Sequence, residues 1–308
     1  MWRFGNVPER PASSPAGVSD WGAVMRLRRV PVRVVVGLLA VIGGPCAASA
    51  SDAAVARVVA SAKAHALAAD SLPSLTEVRA ACGPDAVCAG RLIAGAAGDG
   101  ARLVRAIRPN PDSIRWVDTR PSVVDVQIAR AEDGGVLRRV VVDRFGPAVV
   151  DELRRAVTGD PAATAIEIDL RCNAGGNVGR MLAAVALFTG PVRAAAIAID
   201  PHNRRPLAVP APAEVLRTGP LGVVVGLETA GSGELMAALL RRYARARIFG
   251  RPTAGRLFLL RTIPLNHEWS LRLPSSRIEV PGGAVAGGLQ PDVPLPASAA
   301  ACAKPVTE

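Results

Sequence analysis

The stretch Gly226–Arg256, GLETAGSGELMAALLRRYARARIFGRPTAGR, decides the fold. It follows the apolar run LGVVV (221–225), turns on TAGSG, enters the helical pattern ELMAALLRRYARA, and returns to a second apolar run before another glycine turn. The same grammar stands upstream: TAIEIDL (164–170), the turn RCNAGGN (171–177), then VGRMLAAVALF (178–188). Short apolar runs without clean alternation are strands buried on both faces, and strand, glycine turn, helix, strand is the pattern of right-handed parallel crossovers. An α/β core built of repeated strand-turn-helix units is therefore predicted. Each turn leaves backbone N–H groups at a helix start, a place suited to an oxyanion or a carboxylate.

Working outward, SVVDVQIAR (122–130) and GVLRRVVVD (135–143) flank AEDGG and read as a β-hairpin. In FGPAVVDELRRAV (145–157), Phe145, Val149, Leu153 and Val157 fall on one helical face, with Pro147 in the first turn. Residues 51–107 carry helical patterns such as DAAVARVVASAKAHALAA, broken by DSLPS and CGPD. The organisation expected is an upstream extension and signal peptide over 1–50, a small helical region over 51–107, the core domain over 108–298 and a tail over 299–308. A chain of 308 residues, half of them apolar, can bury one sizeable core with a small accessory region.

Met25–Ala50 has a basic start, an apolar run from Val34 to Ile42 and the small residues Ala48-Ser49-Ala50, the form of a secretory signal. The apolar run is shorter than the ~20 residues of a membrane-spanning helix. Pro45 ahead of Cys46 departs from the small residue that a lipoprotein site requires. Residues 1–24 read as lying upstream of the true start. Without residues 1–50 the chain keeps 31 basic and 24 acidic residues, a net charge of +7 against +11 for the whole. The expected location is exported, periplasmic or secreted, with a basic balance suited to peripheral contact with anionic envelope membranes. Nucleic acid is excluded as a partner, because no basic motif is interleaved with aromatics.

Export leaves Cys82, Cys88, Cys172 and Cys302, an even number in an oxidising compartment with three connectivities open. Cys82 with Cys88 is favoured because Gly83 and Pro84 permit a tight loop, and Cys172 with Cys302 would tie the tail to the core. No metal site is expected, since none of His65, His202 and His267 stands at ligand spacing from a cysteine. No cofactor is expected either.

Four motifs, in order, carry a family resemblance. IEIDLRCNAGGN (166–177), TAGSGELMAALL (229–240), ARIFGRPTAGR (246–256) and TIPLNHEWSLRLPSSRIEVPGGAVAGGLQPDVPLP (262–296) resemble the C-terminal processing peptidases, or tail-specific proteases. These are serine peptidases with a crotonase-like core, and the resemblance spans about residues 112–297. It implies oxyanion-hole amides at Gly175 and Gly176, a nucleophilic serine at position 231, a general-base lysine at 256 and a supporting glutamine at 260. This chain has Gly231, Arg256 and Leu260 there. Glycine has no nucleophilic atom, and a guanidinium with pKa above ~12 takes no proton from a hydroxyl near neutrality. The only lysines, Lys63 and Lys304, lie outside the matched core. Family members commonly carry an inserted PDZ domain; the roughly 60 residues between Ser51 and the first core strand are too few and too helical for one.

The reading that follows is a degenerate member, a pseudoprotease that binds peptides or a partner protein. Arg256 would hold a peptide carboxylate, a free C-terminus included, beside Gly175, Gly176 and Gly231. The alternative is an active serine endopeptidase with Ser232 as a shifted nucleophile and His267, His202 or Glu228 as base. In the first reading Ser232 caps the helix that begins near Glu234, Cys172 is structural and His267 sits in a solvated hairpin turn.

Overall fold

The computed structural model describes residues 50–98, 100–106, 120–130, 134–216, 219–282 and 287–302. The expected signal segment, the boundary at 107/108 and the last six residues lie outside them. Along the chain run α1 (Ala50–His65), α2 (Leu75–Cys82), α3 (Ala86–Ala97), β1 (Arg102–Arg105), β2 (Val123–Arg130), β3 (Val136–Val142), α4 (Val149–Thr158), β4 (Ala165–Asp169), α5 (Val178–Thr189), β5 (Val192–Ile199), β6 (Arg204–Val209), β7 (Leu221–Val225), α6 (Ser232–Tyr243), β8 (Arg247–Gly250), β9 (Phe258–Pro264), β10 (Trp269–Glu279), β11 (Val293–Pro294) and α7 (Ala297–Ala300).

Six strands form one sheet in the order β11-β8-β7-β4-β3-β2. Strands β3, β4, β7, β8 and β11 are mutually parallel, and β2 returns antiparallel to β3 as the predicted hairpin. The two central strands are covered on both faces: Ile168, Asp169, Val223, Val224 and Val225 are all buried. Helices α4, α5 and α6 supply Leu153, Met181, Leu187, Leu235, Met236, Leu239 and Leu240 to the same core. Helix α4 begins at Val149, after Pro147, so Phe145 is not on its buried face. Phe145 instead bridges the backbone of Gly176 in the turn after β4.

The second sheet is antiparallel, ordered β1-β10-β5-β6, with β9 on the other side of β10. Along β10 and β9 successive side chains point to opposite faces of the sheet. Leu271, Leu273 and Ile263 enter a second cluster with Val55, Val58, Val59 and Ala62 of α1 and Ile93 of α3. The opposite face carries Arg272, opposed by Arg102 on β1 and Thr262 on β9. The described residues of 51–107 thus hold three α-helices, a 3-10 turn at Ala69–Ser71 and a strand, β1, that is paired far along the chain.

Two disulfides are formed, Cys82–Cys88 and Cys172–Cys302, with Cα separations of 5.5 and 4.9 Å that suit bridging. Beside the second, Arg171 donates to Asp169 and, through Nη1, to the Ala299 carbonyl at 2.6 Å, so the last helix is held to the turn after β4. The hydrogen bond to Asp169 raises the Arg171 pKa further above its usual value. Mass analysis of non-reduced protein should find all four cysteines paired as above; alkylation of Cys172 in the native state would contradict the tail tether.

Candidate functional site

Parallel α/β sheets gather ligands at the carboxyl ends of their strands, where the chain turns into helices. Here three such turns converge: 170–177 after β4, 226–231 after β7 and 251–257 after β8. Each is stitched to another by a buried polar side chain. Asn173 donates through Nδ2 to the Val142 carbonyl at 3.1 Å, accepts the Gly175 N–H on Oδ1 at 2.9 Å, and accepts the Ala230 N–H on its own carbonyl at 3.0 Å. The Thr229 hydroxyl donates to the Leu170 carbonyl at 2.8 Å and accepts the Gly226 N–H at 3.0 Å.

Glu234, fully buried in the first turn of α6, is the hub. Its Oε2 accepts the N–H groups of Gly231 and Arg256, both at 2.9 Å. Its Oε1 accepts the Gly255 N–H at 2.8 Å and the Thr253 hydroxyl at 2.5 Å. One carboxylate therefore fixes the backbone at both positions 231 and 256. Four donors satisfy a charge that burial would otherwise penalise heavily.

Gly231 has φ 55° and ψ −117°, a strand-to-helix turn in a region that side chains rarely adopt. The same kind of strained turn exposes the nucleophile in α/β-hydrolases. A Cβ at Gly231 would meet nothing closer than the Arg256 carbonyl oxygen at 3.8 Å, so space for a side chain exists and only the backbone conformation opposes one. Gly175 and Gly176 also have positive φ, +107° and +150°. A Cβ on Gly175 would stand 3.2 Å from the Ala230 carbonyl, and one on Gly176 would stand 3.1 Å from the Phe145 nitrogen.

Ser232 does not cap α6. The helix begins at Ser232 itself, with Gly231 at the capping position and Glu234 reaching back to the Gly231 N–H. Standing at the first helical position rather than the cap, Ser232 donates its hydroxyl to the Gly176 carbonyl at 3.0 Å. None of the bases considered for it is assembled at the site. His202 binds the Ala64 carbonyl at 3.0 Å beside a separate cavity, His267 lies in the β9–β10 turn next to Glu268, and Glu228 is exposed and does not line the groove.

The groove over these turns has a volume of about 700 Å³. Its walls bring together Gly175, Gly176, Gly231, Ser232, Arg256 and Leu260, every groove residue singled out from the sequence. Phe258, Arg102 and Arg272 join them without having been singled out, and Gly100 presses against the Phe258 ring. The amides of Gly175 and Gly231 are already bonded within the protein. The Arg256 guanidinium, exposed, has no acidic partner among the described residues. The four cysteines stand apart from the groove lining, in their disulfides. Among the described residues no cluster of His, Cys, Asp and Glu could hold a metal ion.

The family model described as Peptidase family S41 matches residues 140–295, which contain all three turns. A lipoprotein from Streptococcus agalactiae has a similar structure: 14% identity, 83% of this chain and 95% of that one covered, TM-score 0.61. A chain from Parabacteroides merdae described as a peptidase is 13% identical over 80% of this chain and 90% of its own, with a TM-score of 0.54. The photosystem II D1 C-terminal processing protease is 18% identical over 63% of this chain, which spans about half of that protein (48%), at a TM-score of 0.47. At these identities the likeness is one of fold. No curated protein matches.

Replacing the hub tests its role. Glu234→Gln puts an N–H₂ among four donors and should lower unfolding free energy by about 2–4 kcal/mol in a urea melt; a loss below about 0.5 kcal/mol would show that the turns stand without it.

Proposed function

This chain belongs to peptidase family S41, and on that premise we propose that it is an exported pseudoprotease that binds a peptide or protein segment by a free C-terminus. The positions that the resemblance assigns to nucleophile, base and supporting amide hold Gly231, Arg256 and Leu260, all on the groove wall. The nucleophile's turn is kept while its side chain is absent. Ser232 is a poor substitute: its proton goes to a carbonyl that cannot act as a base.

The observation that carries the binding reading is the exposed Arg256 guanidinium beside site amides that are already bonded. An arriving anion meets a permanent cation there. The planar fork of arginine matches a carboxylate through two parallel hydrogen bonds, and a C-terminus is the carboxylate every protein carries. Phe258, Leu259 and Leu260 offer apolar surface to the residues before it. Two disulfides accord with an oxidising compartment, periplasmic or extracellular. The net charge of +7 expected for the exported chain favours residence near anionic envelope surfaces. The reading calls for no cofactor.

Fluorescence polarisation with paired peptides tests it. Peptides with a free apolar C-terminus should bind roughly ten- to a hundredfold more tightly than the same peptides amidated, the worth of a charge-assisted fork. Arg256→Ala should make acid and amide bind alike, and Arg256→Lys should fall between. Equal binding of acid and amide to the unmutated protein would refute the role given to Arg256.

A further inference from the structure

The groove contains a second cationic element. Arg102 on β1 and Arg272 on β10 are directly opposed in the antiparallel ladder, and Thr262 on β9 extends the row across the sheet. All three line the groove that Arg256 lines. Their neighbours in sequence, Leu103, Leu271 and Ile263, turn the other way into the apolar cluster under the helices, so the alternation of the strands aims both arginines at the groove face.

Like charges directly opposed across a ladder destabilise a sheet. Some arginines elsewhere in the chain have acidic partners: Arg277, on the same strand β10, pairs with Glu279 at 3.1 Å, Arg204 with the same Glu279 at 3.3 Å, and Arg139 with Glu167. Arg102, Arg256 and Arg272 have none among the described residues, and no described residue of the groove wall is acidic. Arg272 is half-buried, so water screens it incompletely.

From this juxtaposition we infer that Arg102 and Arg272 form a second anion subsite, and that the ligand is an acidic peptide whose Asp or Glu side chains meet this pair while its C-terminal carboxylate meets Arg256. The inference deepens the peptide-binding reading and rests on it. Strand β9, paired only with β10 among the described strands, and the apolar side chains Phe258, Leu259 and Leu260 suit a polypeptide better than a bare phosphate polymer. Bound carboxylates would relieve the repulsion that the free protein tolerates.

The test compares three labelled peptides on the full exported chain: one with a free C-terminus and several Glu residues upstream, its Glu-to-Gln counterpart, and the Glu peptide amidated. The Glu peptide should bind roughly tenfold or more tightly than the Gln peptide, from two partly screened ion pairs. In Arg102→Gln/Arg272→Gln that preference should vanish while the preference for acid over amide persists. Arg102→Gln alone, at an exposed edge position, should lose part of it, and neither variant should melt below the unmutated protein. If Glu and Gln peptides bind alike while acid still beats amide, the second subsite falls and the Arg256 reading stands. If no peptide binds, both fall. Vesicles containing phosphatidylglycerol form the remaining arm: binding to them that the double variant abolishes, with no peptide preference, would assign the pair to an anionic surface and overturn the peptide assignment.

Discussion

A single buried carboxylate holds this site together. Glu234 accepts four hydrogen bonds, two on each oxygen, from Gly231, Thr253, Gly255 and Arg256. These donors belong to the turns after β7 and β8, which a backbone bond from the Ala254 N–H to the Thr229 carbonyl at 3.0 Å also joins, and the carboxylate ties positions 231 and 256 to each other. Thr253 passes the constraint on, accepting the Leu289 N–H at 2.7 Å, and Asn173 and Thr229 bind the turn after β4 to the turn after β7. The turns are thus tied to one another, and positions 231 and 256 on them hold a glycine and an arginine. On the proposed reading, the groove answers to a structural requirement other than bond cleavage.

That requirement is best understood through how the groove treats charge. In an acyl-transfer site, free amides wait for an oxyanion that exists only during reaction. Here the Gly175 amide binds the Asn173 side chain and the Gly231 amide binds Glu234. The exposed Arg256 is a permanent cation that suits a ligand charged in its resting state. On the proposed reading, such an arrangement stabilises a bound ground state rather than a transition state.

Much of the fold was legible because its signals are local. The two strand-turn-helix units, the β2–β3 hairpin and the turn at His267 all follow from runs of a few residues. What escaped reading depends on partners distant in sequence. RLVR, only four residues at the end of a helical stretch, is a strand because β10 supplies its ladder. For the same reason Arg102 and Arg272 could not be seen as neighbours. Phe145 has helical spacing to Val149 but is used to bridge Gly176, and Ser232, expected as a cap, stands one residue inside the helix and turns its hydroxyl to the Gly176 carbonyl. The isolated polar residues Asn173 and Thr229, set between apolar runs, were the available hint that the turns are tied from within.

The central claim is that the elbow of an S41 peptidase persists here without a working nucleophile. Incubation of the native protein with a serine-directed phosphonate, followed by intact-mass measurement, tests it most directly. The account predicts an unshifted mass, since Gly231 has no side-chain hydroxyl and the Ser232 hydroxyl is bound to the Gly176 carbonyl. A stoichiometric adduct that disappears in Ser232→Ala would contradict it.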